Sequence, residues 1–216
     1  MMVKMMHKVV LFDLDGTLVD SSEGILDAVK ETLGIMGIEP PSDDGIRSCI
    51  GPPIGDSLGM RFGYSSKDVK EFYDVFRPVY RDKHLFKCRI YPGIVPILKE
   101  LKNNGCFIGI ATNKRKDSTA ILIDHLDIAD LFDVVIAQEI DKTRKKSVMI
   151  TESLNSLKIE KQDVILIGDA MSDLETAKEA GIDFIGVRYG YGFKEPVDSP
   201  YLIADTVEEL RSLLMA

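Results

Sequence analysis

The chain is 216 residues long, 45% hydrophobic and 29% charged, the composition of a soluble globular protein with enough apolar material for a real core. Its 27 Lys and Arg against 35 Asp and Glu leave a net charge of -8, which argues against non-specific binding to nucleic acid or to an acidic membrane surface. Three cysteines, Cys49, Cys88 and Cys106, follow no zinc or C-x-x-C spacing and read as reduced thiols of a cytoplasmic protein, and no stretch approaches the roughly 18 uncharged apolar residues of a membrane span.

At the N-terminus "MMVKMMHKVVLF" sets basic residues before an apolar run, but Asp13 ends that run too early for a secretory signal. "KVVLFD" has instead the character of a buried strand, and "DLDGT" follows where the chain should turn. No second strand of that kind is expected before residue 107. Residues 23 to 84 are helical in pattern, as in "EGILDAVKETLGIMG" and "KDVKEFYDVFRPVYRDKH", and are broken by the stiff loop "IGPPIGDS". From residue 90 onward short apolar runs alternate with amphipathic segments. The runs are "FIGIA" (107–111), "VVIA" (134–137), "DVILIG" (163–168) and "FIGV" (184–187), with Gly105 and Gly181 placed as C-cap glycines. The pattern predicts an α/β fold, a doubly wound parallel sheet of Rossmann-like type, with an inserted helical unit. The core would comprise residues 1–20 and 90–216, and the helical cap residues 21–89.

In open parallel sheets ligands bind beyond the carboxyl ends of the strands, near the point where strand order reverses. Those ends carry Asp13 and Asp15, then Thr112 and Asn113, then Asp169, with Asp173 four residues later expected on the same helical face. Asp and Asn also serve as helix N-caps and loop residues, a reading that suffices for Asn113 or Asp173 taken singly. It does not explain the set. Asp13, Asp15 and Asp169 would converge, and like charges repel unless a cation neutralises them, so a hard divalent ion with oxygen ligands, Mg²⁺, is the simplest resolution. The further ligands of an EF-hand are missing, and there is no G-x-x-x-x-G-K-[ST] loop.

"DLDGT" at 13–17, "ATN" at 111–113, the lysine-bearing helix start "KKS" and "GDAMSD" at 168–173 resemble, in order and spacing, the four motifs of the haloacid dehalogenase superfamily of phosphatases. The helical insert, "IGPPI", "YPGI" and the late "YGYG" resemble its phosphoglycolate phosphatase-like branch. The resemblance implies that Asp13 is the nucleophile that forms an aspartyl-phosphate, and that Asp15 is the general acid and base. It also implies Mg²⁺ held by Asp13, Asp169, Asp173 and the backbone carbonyl of Asp15, with Thr112, Asn113 and a lysine on the phosphoryl oxygens. Many relatives carry "GKP" at the third motif, where this chain has "DKTRKKSVMITESL". Among Lys142, Arg144, Lys145 and Lys146, the choice falls on Lys146, which directly precedes the helical "SVMITESL"; Lys145 is second.

Substrate choice should lie in the cap, where Arg47, just before "SCIGPPIG", is expected to face the catalytic centre, while Arg77, Arg81, Lys83 and Lys87 read as solvated helix charges. The function implied is Mg²⁺-dependent hydrolysis of a small phosphorylated metabolite, with phosphoglycolate, a nucleotide, pyrophosphate and a sugar phosphate all open. A phosphosugar mutase would use the same two aspartates. A phosphonatase would normally lack Asp15, and a non-catalytic phospho-receiver would not need the complete motif set. Nothing in the sequence specifies an oligomeric state.

Overall fold

The structure is a computed structural model that describes residues 7–139, 144–193 and 201–215. Its main sheet begins with β1 (Val9–Phe12), a run of β-branched and large apolar residues buried on both faces, as the central strand of a parallel sheet must be. Five further strands join it: β4 (Phe107–Arg115), β5 (Val134–Gln138), β6 (Val164–Gly168), β7 (Asp183–Val187) and β8 (Leu202–Ala204). Their order is β5-β4-β1-β6-β7-β8, and every pairing is parallel. The chain therefore fills one side of β1 and then the other. That reversal makes the carboxyl end of β1 the switch point.

Helices cover both faces. Val9 and Leu11 pack in a cluster with α7 (Lys146–Leu157) and α8 (Met171–Ala180), while Val10 and Phe12 point into a second cluster that includes α5 (Ile94–Asn103), α6 (Lys116–His125) and α9 (Val207–Leu214).

Between β1 and the remaining strands lie α1 (Ser22–Ile35), α2 (Asp43–Arg47), α3 (Ile54–Phe62) and α4 (Ser66–Val79), the last running into a π-helical turn over Tyr80–His84. Two of these starts have a side-chain cap. Ser42 accepts from the Gly45 amide to begin α2, and Ser65 with Asp68 forms a reciprocal capping box on α4. One feature is absent from the sequence reading. β2 (Val19–Asp20) and β3 (Arg89–Ile90) pair antiparallel, a two-residue ribbon where the chain leaves for the helices and returns. An Arg89–Asp20 ion pair of 3.1 Å adds a side-chain tie there. So short a pair has no periodicity to detect. β4 also runs further than expected, through Thr112 and Asn113 to Arg115, with its register to β5 shifting between Ala111 and Arg115.

Candidate active site

Asp13 follows β1, and its amide donates to the Ile167 carbonyl of β6 at 2.8 Å, which fixes the backbone beside the neighbouring strand end. Asp169 follows β6 directly. Asp173 is the third residue of α8 and accepts from the Ala170 amide through Oδ2, so it caps that helix while its other oxygen, Oδ1, faces the centre. Asp169 itself precedes the helix, so the convergence of the two acids comes from the strand-to-helix turn and not from a shared helical face. The ligand oxygens of Asp13, Asp169 and Asp173 all lie within 4.8 Å of one another, and all three residues are buried.

Lys146, the first residue of α7 and only 4% exposed, reaches into this group. Its Nζ donates to Asp13 Oδ1 at 2.6 Å and to Asp173 Oδ1 at 2.8 Å. Burial works against the ammonium, but Asp13 and Asp173 more than offset it and hold the lysine protonated. Burial likewise pushes the Asp13 carboxyl up to about 7, with Lys146 opposing and Asp173 reinforcing the rise. Asp169 is fully buried, and burial followed by the charges of Asp173 and Asp13 raises its pKa well above the usual range. It accepts from two neutral donors, the Thr17 hydroxyl at 3.4 Å and the Tyr191 amide at 2.7 Å. Three converging carboxylates with one ammonium between them leave negative charge uncompensated, and an all-oxygen donor set of this kind suits a hard divalent cation.

The loop after β1 is shaped by close approach. Gly16 has φ +89°, and a Cβ there would lie 2.4 Å from Asp169 Oδ2. The "YGYG" stretch presses on the same place: a Cβ at Gly190 would lie 2.3 Å from the Gly16 carbonyl oxygen and 2.4 Å from Asp169 Cβ. Its tyrosines reach past the acids, with Tyr189 Oη donating to the Thr17 carbonyl at 3.0 Å and Tyr191 Oη accepting from the Ser21 amide at 2.8 Å.

Asp15 points elsewhere. It accepts from Ser21 Oγ at 2.6 Å and, through both carboxylate oxygens, from Lys114 Nζ at 3.0 and 2.9 Å. Lys114 also donates to Tyr80 Oη at 2.8 Å. The sequence reading did not single out either partner. Lys114 stands beside "ATN" and was open to notice; Tyr80, far along the chain, gave no sign.

Thr112 is buried on the cavity wall, and its Oγ1 accepts from the Lys114 amide at 3.1 Å. Asn113 bridges outward, donating to the Gly51 carbonyl at 3.5 Å and accepting from Gln138 at 3.3 Å. Lys145 turns to Glu179 at 3.1 Å and Arg144 pairs with Glu152, while Lys142 lies outside the described residues. Of the basic cluster described, Lys146 alone joins the acids.

A cavity of about 930 Å³ lies between these strand ends and the helical segment. Asp13, Asp15 and Thr112 form its floor, and Ile50 to Ile54 of the "IGPPI" loop, Tyr73 and Arg77 stand among its other walls. Arg47 does not meet its expectation. It ends α2, half-buried, and is not among the cavity-lining residues; two turn residues, Ser48 and Cys49, separate it from "IGPPI", which does reach the site. Arg77 and Arg81, read from the sequence as solvated charges, do line it, and the Arg77 guanidinium sits 5.0 Å from the Tyr73 ring centroid.

The profile of the haloacid dehalogenase-like hydrolase family matches residues 10–187. The chain is 32% identical over 187 residues to a 5'-nucleotidase of Pseudomonas aeruginosa, covering 86% of this chain and 85% of that protein. It is 30% identical over 204 residues to a phosphoglycolate phosphatase of Rhodospirillum rubrum, covering 90% and 84%. It is also 29% identical over 213 residues to the tyrosine-protein kinase PtkA of Mycobacterium tuberculosis, covering 96% of this chain and 72% of that one. The solved structure of PtkA superposes with a TM-score of 0.83 at 28% identity, over 96% of this chain and 98% of that chain.

Proposed function

Because the chain belongs to the haloacid dehalogenase-like hydrolase family and is an enzyme of its phosphatase type, we propose that it is a Mg²⁺-dependent hydrolase of a small phosphate monoester, acting through an aspartyl-phosphate on Asp13. The observation that carries this reading is the buried group of Asp13, Asp169, Asp173 and Lys146 at the switch point of the sheet. Asp13, Asp169, Asp173 and the Asp15 carbonyl would hold Mg²⁺. When bound, the ion supplies the positive charge that lets an anionic nucleophile approach an anionic phosphoryl group.

The chain's own residues do the rest. An Asp13 carboxylate oxygen forms a bond to phosphorus as the ester oxygen leaves, and Asp15 gives that oxygen its proton. Water then attacks the phosphoryl group, Asp15 takes the water proton, and the Asp13–phosphorus bond breaks. Lys146 and Thr112 hold the phosphoryl oxygens throughout, where the charge of the transferring group is greatest. Asn113, tied to the "IGPPI" loop through Gly51, stands behind them.

Residues 21–89 act as the cap over a core of residues 1–20 and 90–216. Recognition of the leaving group falls to cap side chains that line the cavity, among them Tyr73 and Arg77, in place of Arg47. The substrate is a small phosphorylated metabolite such as a phosphoglycolate-like acid, a nucleotide or a sugar phosphate. No helix among the described residues is long and apolar enough to cross a membrane, and a cytoplasmic place suits both that and the reduced cysteines.

The decisive test is release of inorganic phosphate from a panel of phosphorylated metabolites with and without metal. EDTA should abolish release and Mg²⁺ restore it, and Ca²⁺, with its looser coordination shell, should substitute poorly. Full activity after rigorous chelation overturns the metal. Transfer of the phosphoryl group to a sugar or a protein hydroxyl, with none to water, overturns hydrolysis in favour of a mutase or a kinase.

A further inference from the structure

Lys114 is a buried cation that the chemistry above does not use. Its side chain is 7% exposed, and its contacts are unusually complete. An ammonium has three hydrogens to donate. Here Asp15 lies within reach through both carboxylate oxygens, at 3.0 and 2.9 Å, and the third partner is Tyr80 Oη at 2.8 Å. The backbone of Lys114 is fixed as well, because its amide donates to Thr112 Oγ1 on the floor of the cavity.

The two partners come from different parts of the chain. Asp15 belongs to the loop after β1, whereas Tyr80 opens the π-helical turn at the end of α4. Tyr80 is held there by a ladder of rings along one helical face. It stacks on Phe76 at 5.4 Å and 6°, and Phe76 stacks on Phe72 at 5.1 Å and 17°. Its own ring also lies under the lysine, 4.6 Å from Nζ to the centroid. The ladder thus delivers one cap hydroxyl to one core ammonium.

We propose that Lys114 is a positioning residue for Asp15, and that Tyr80 completes the acceptors around its ammonium only when the helical segment is docked on the core as it is here. A carboxyl group that must pass a proton to an ester oxygen needs a fixed side-chain direction, and Lys114 grips both oxygens of Asp15 to set it. Asp15 remains open to the leaving group on its cavity side, since its side chain is 16% exposed and lines the cavity. When the segment lifts, Lys114 loses Tyr80 and Asp15 loses its alignment. Proton donation is thereby tied to closure of the cap over a bound substrate, which restrains chemistry in the open state. The geometry motivates the claim, and the claim rests on the reading of Asp15 as the acid. In that step the phosphorus–ester oxygen bond breaks as the bond to Asp13 forms, and the Asp15 proton goes to the departing oxygen.

The test uses substrates that differ in their need for that proton. A series of aryl phosphates, from 4-nitrophenyl phosphate to phenyl phosphate, keeps charge and shape nearly constant while the leaving oxygen becomes more basic. The value measured is kcat/KM, which reports transfer to Asp13 and is blind to later hydrolysis. Lys114→Met should steepen the dependence on leaving-group basicity, losing about a hundredfold on phenyl phosphate, the lower range for general acid catalysis, and far less on 4-nitrophenyl phosphate. Tyr80→Phe keeps the ring ladder and removes only the hydroxyl, so it should steepen the same dependence by about tenfold, the effect of one hydrogen bond. Far-UV circular dichroism checks that each variant is folded, and the tyrosine variant serves if the lysine variant is not.

Asp15→Asn is the control that separates the two levels of the claim. A uniform loss across the series in Asp15→Asn removes its acid role, and the reading on which the proposal stands. A steepened dependence in Asp15→Asn together with a uniform loss in Tyr80→Phe and in any folded Lys114→Met overturns the positioning role alone.

Discussion

At the scale of single residues, the centre divides into groups whose removal should leave different signatures. Asp13→Asn preserves shape and the backbone bond to Ile167 but removes the proposed nucleophile, so phosphate release should fall to background with the fold intact, to be checked by circular dichroism and a phosphate assay. Retention of a substantial fraction of activity would mean that no aspartyl-phosphate forms on Asp13. Lys146→Ala should lower kcat/KM on every substrate by a similar factor, about a hundredfold or more, if it holds the transferring group and not the leaving group as proposed. A change in substrate ranking would contradict that assignment. The acids were legible in the sequence because each sits near a strand end or helix start that periodicity marks, and Lys146 because the resemblance puts a lysine at the start of that helix. Lys114 and Tyr80 were not, since a lysine inside an extended strand end and a tyrosine in an apolar helix face look ordinary until the fold brings them within 2.8 Å. Arg47 failed for a related reason: nearness in sequence to a loop that reaches the cavity does not place a neighbour's side chain there.

At the scale of elements, the segment after β7 does more than its sequence suggested. In sequence "YGYG" is only a family likeness, yet Gly190 lies so close to both Gly16 and Asp169 that no side chain fits between them. Its neighbour Tyr191 ties the Asp169 carboxylate, through its amide, to the Ser21 amide where the chain leaves the core, through its hydroxyl. Gly190→Ala should therefore displace the loop after β1 or the Asp169 side chain. The expected outcome is weaker Mg²⁺ binding by titration calorimetry, by about tenfold or more, the size of effect that follows when groups orienting a metal ligand are disturbed. Gly105→Ala is the comparison. Gly105 has positive φ, unlike Gly190, and no atom outside its chain neighbours lies within 4 Å of its added Cβ, so the change should cost stability without touching metal affinity. Equal Mg²⁺ affinity in both variants would show that the Gly190 contact does not shape the centre. Only a structure could reveal this role, because a glycine needed for close approach and one needed for a helix end are the same letter.

At the scale of the whole molecule, the question is whether the helical segment behaves as a separate body. The sequence suggests that it does, since residues 21–89 interrupt an otherwise regular βα pattern and the chain passes through a two-strand ribbon at the boundary. The packing argues for tighter union. One continuous apolar cluster contains Leu33, Ile46, Leu58 and Phe72 of the segment, Leu14 and Leu18 of the loop after β1, and Phe12, Ile110 and Ile167 of the sheet. Leu14 and Leu18 are fully buried and stand where segment and sheet meet, and interiors packed at native density transmit the loss of any part to the rest. Leu58→Ala, in α3, removes a fully buried side chain and should cost about 2 to 5 kcal/mol. If the cluster is one cooperative unit, urea unfolding followed by far-UV circular dichroism should stay a single transition in this variant, displaced to lower denaturant. The chain has no tryptophan, so a tyrosine signal at longer wavelength supplies the second probe, reporting on Tyr64, Tyr73 and Tyr80 of the segment and Tyr91, Tyr189, Tyr191 and Tyr201 of the core. Leu166→Ala, buried on the opposite face of the sheet in the cluster that the helical segment does not join, should shift the same single transition. Two separated transitions in Leu58→Ala, the later one at the wild-type midpoint, would mean that segment and core unfold independently, and that the shared cluster is contact without cooperativity.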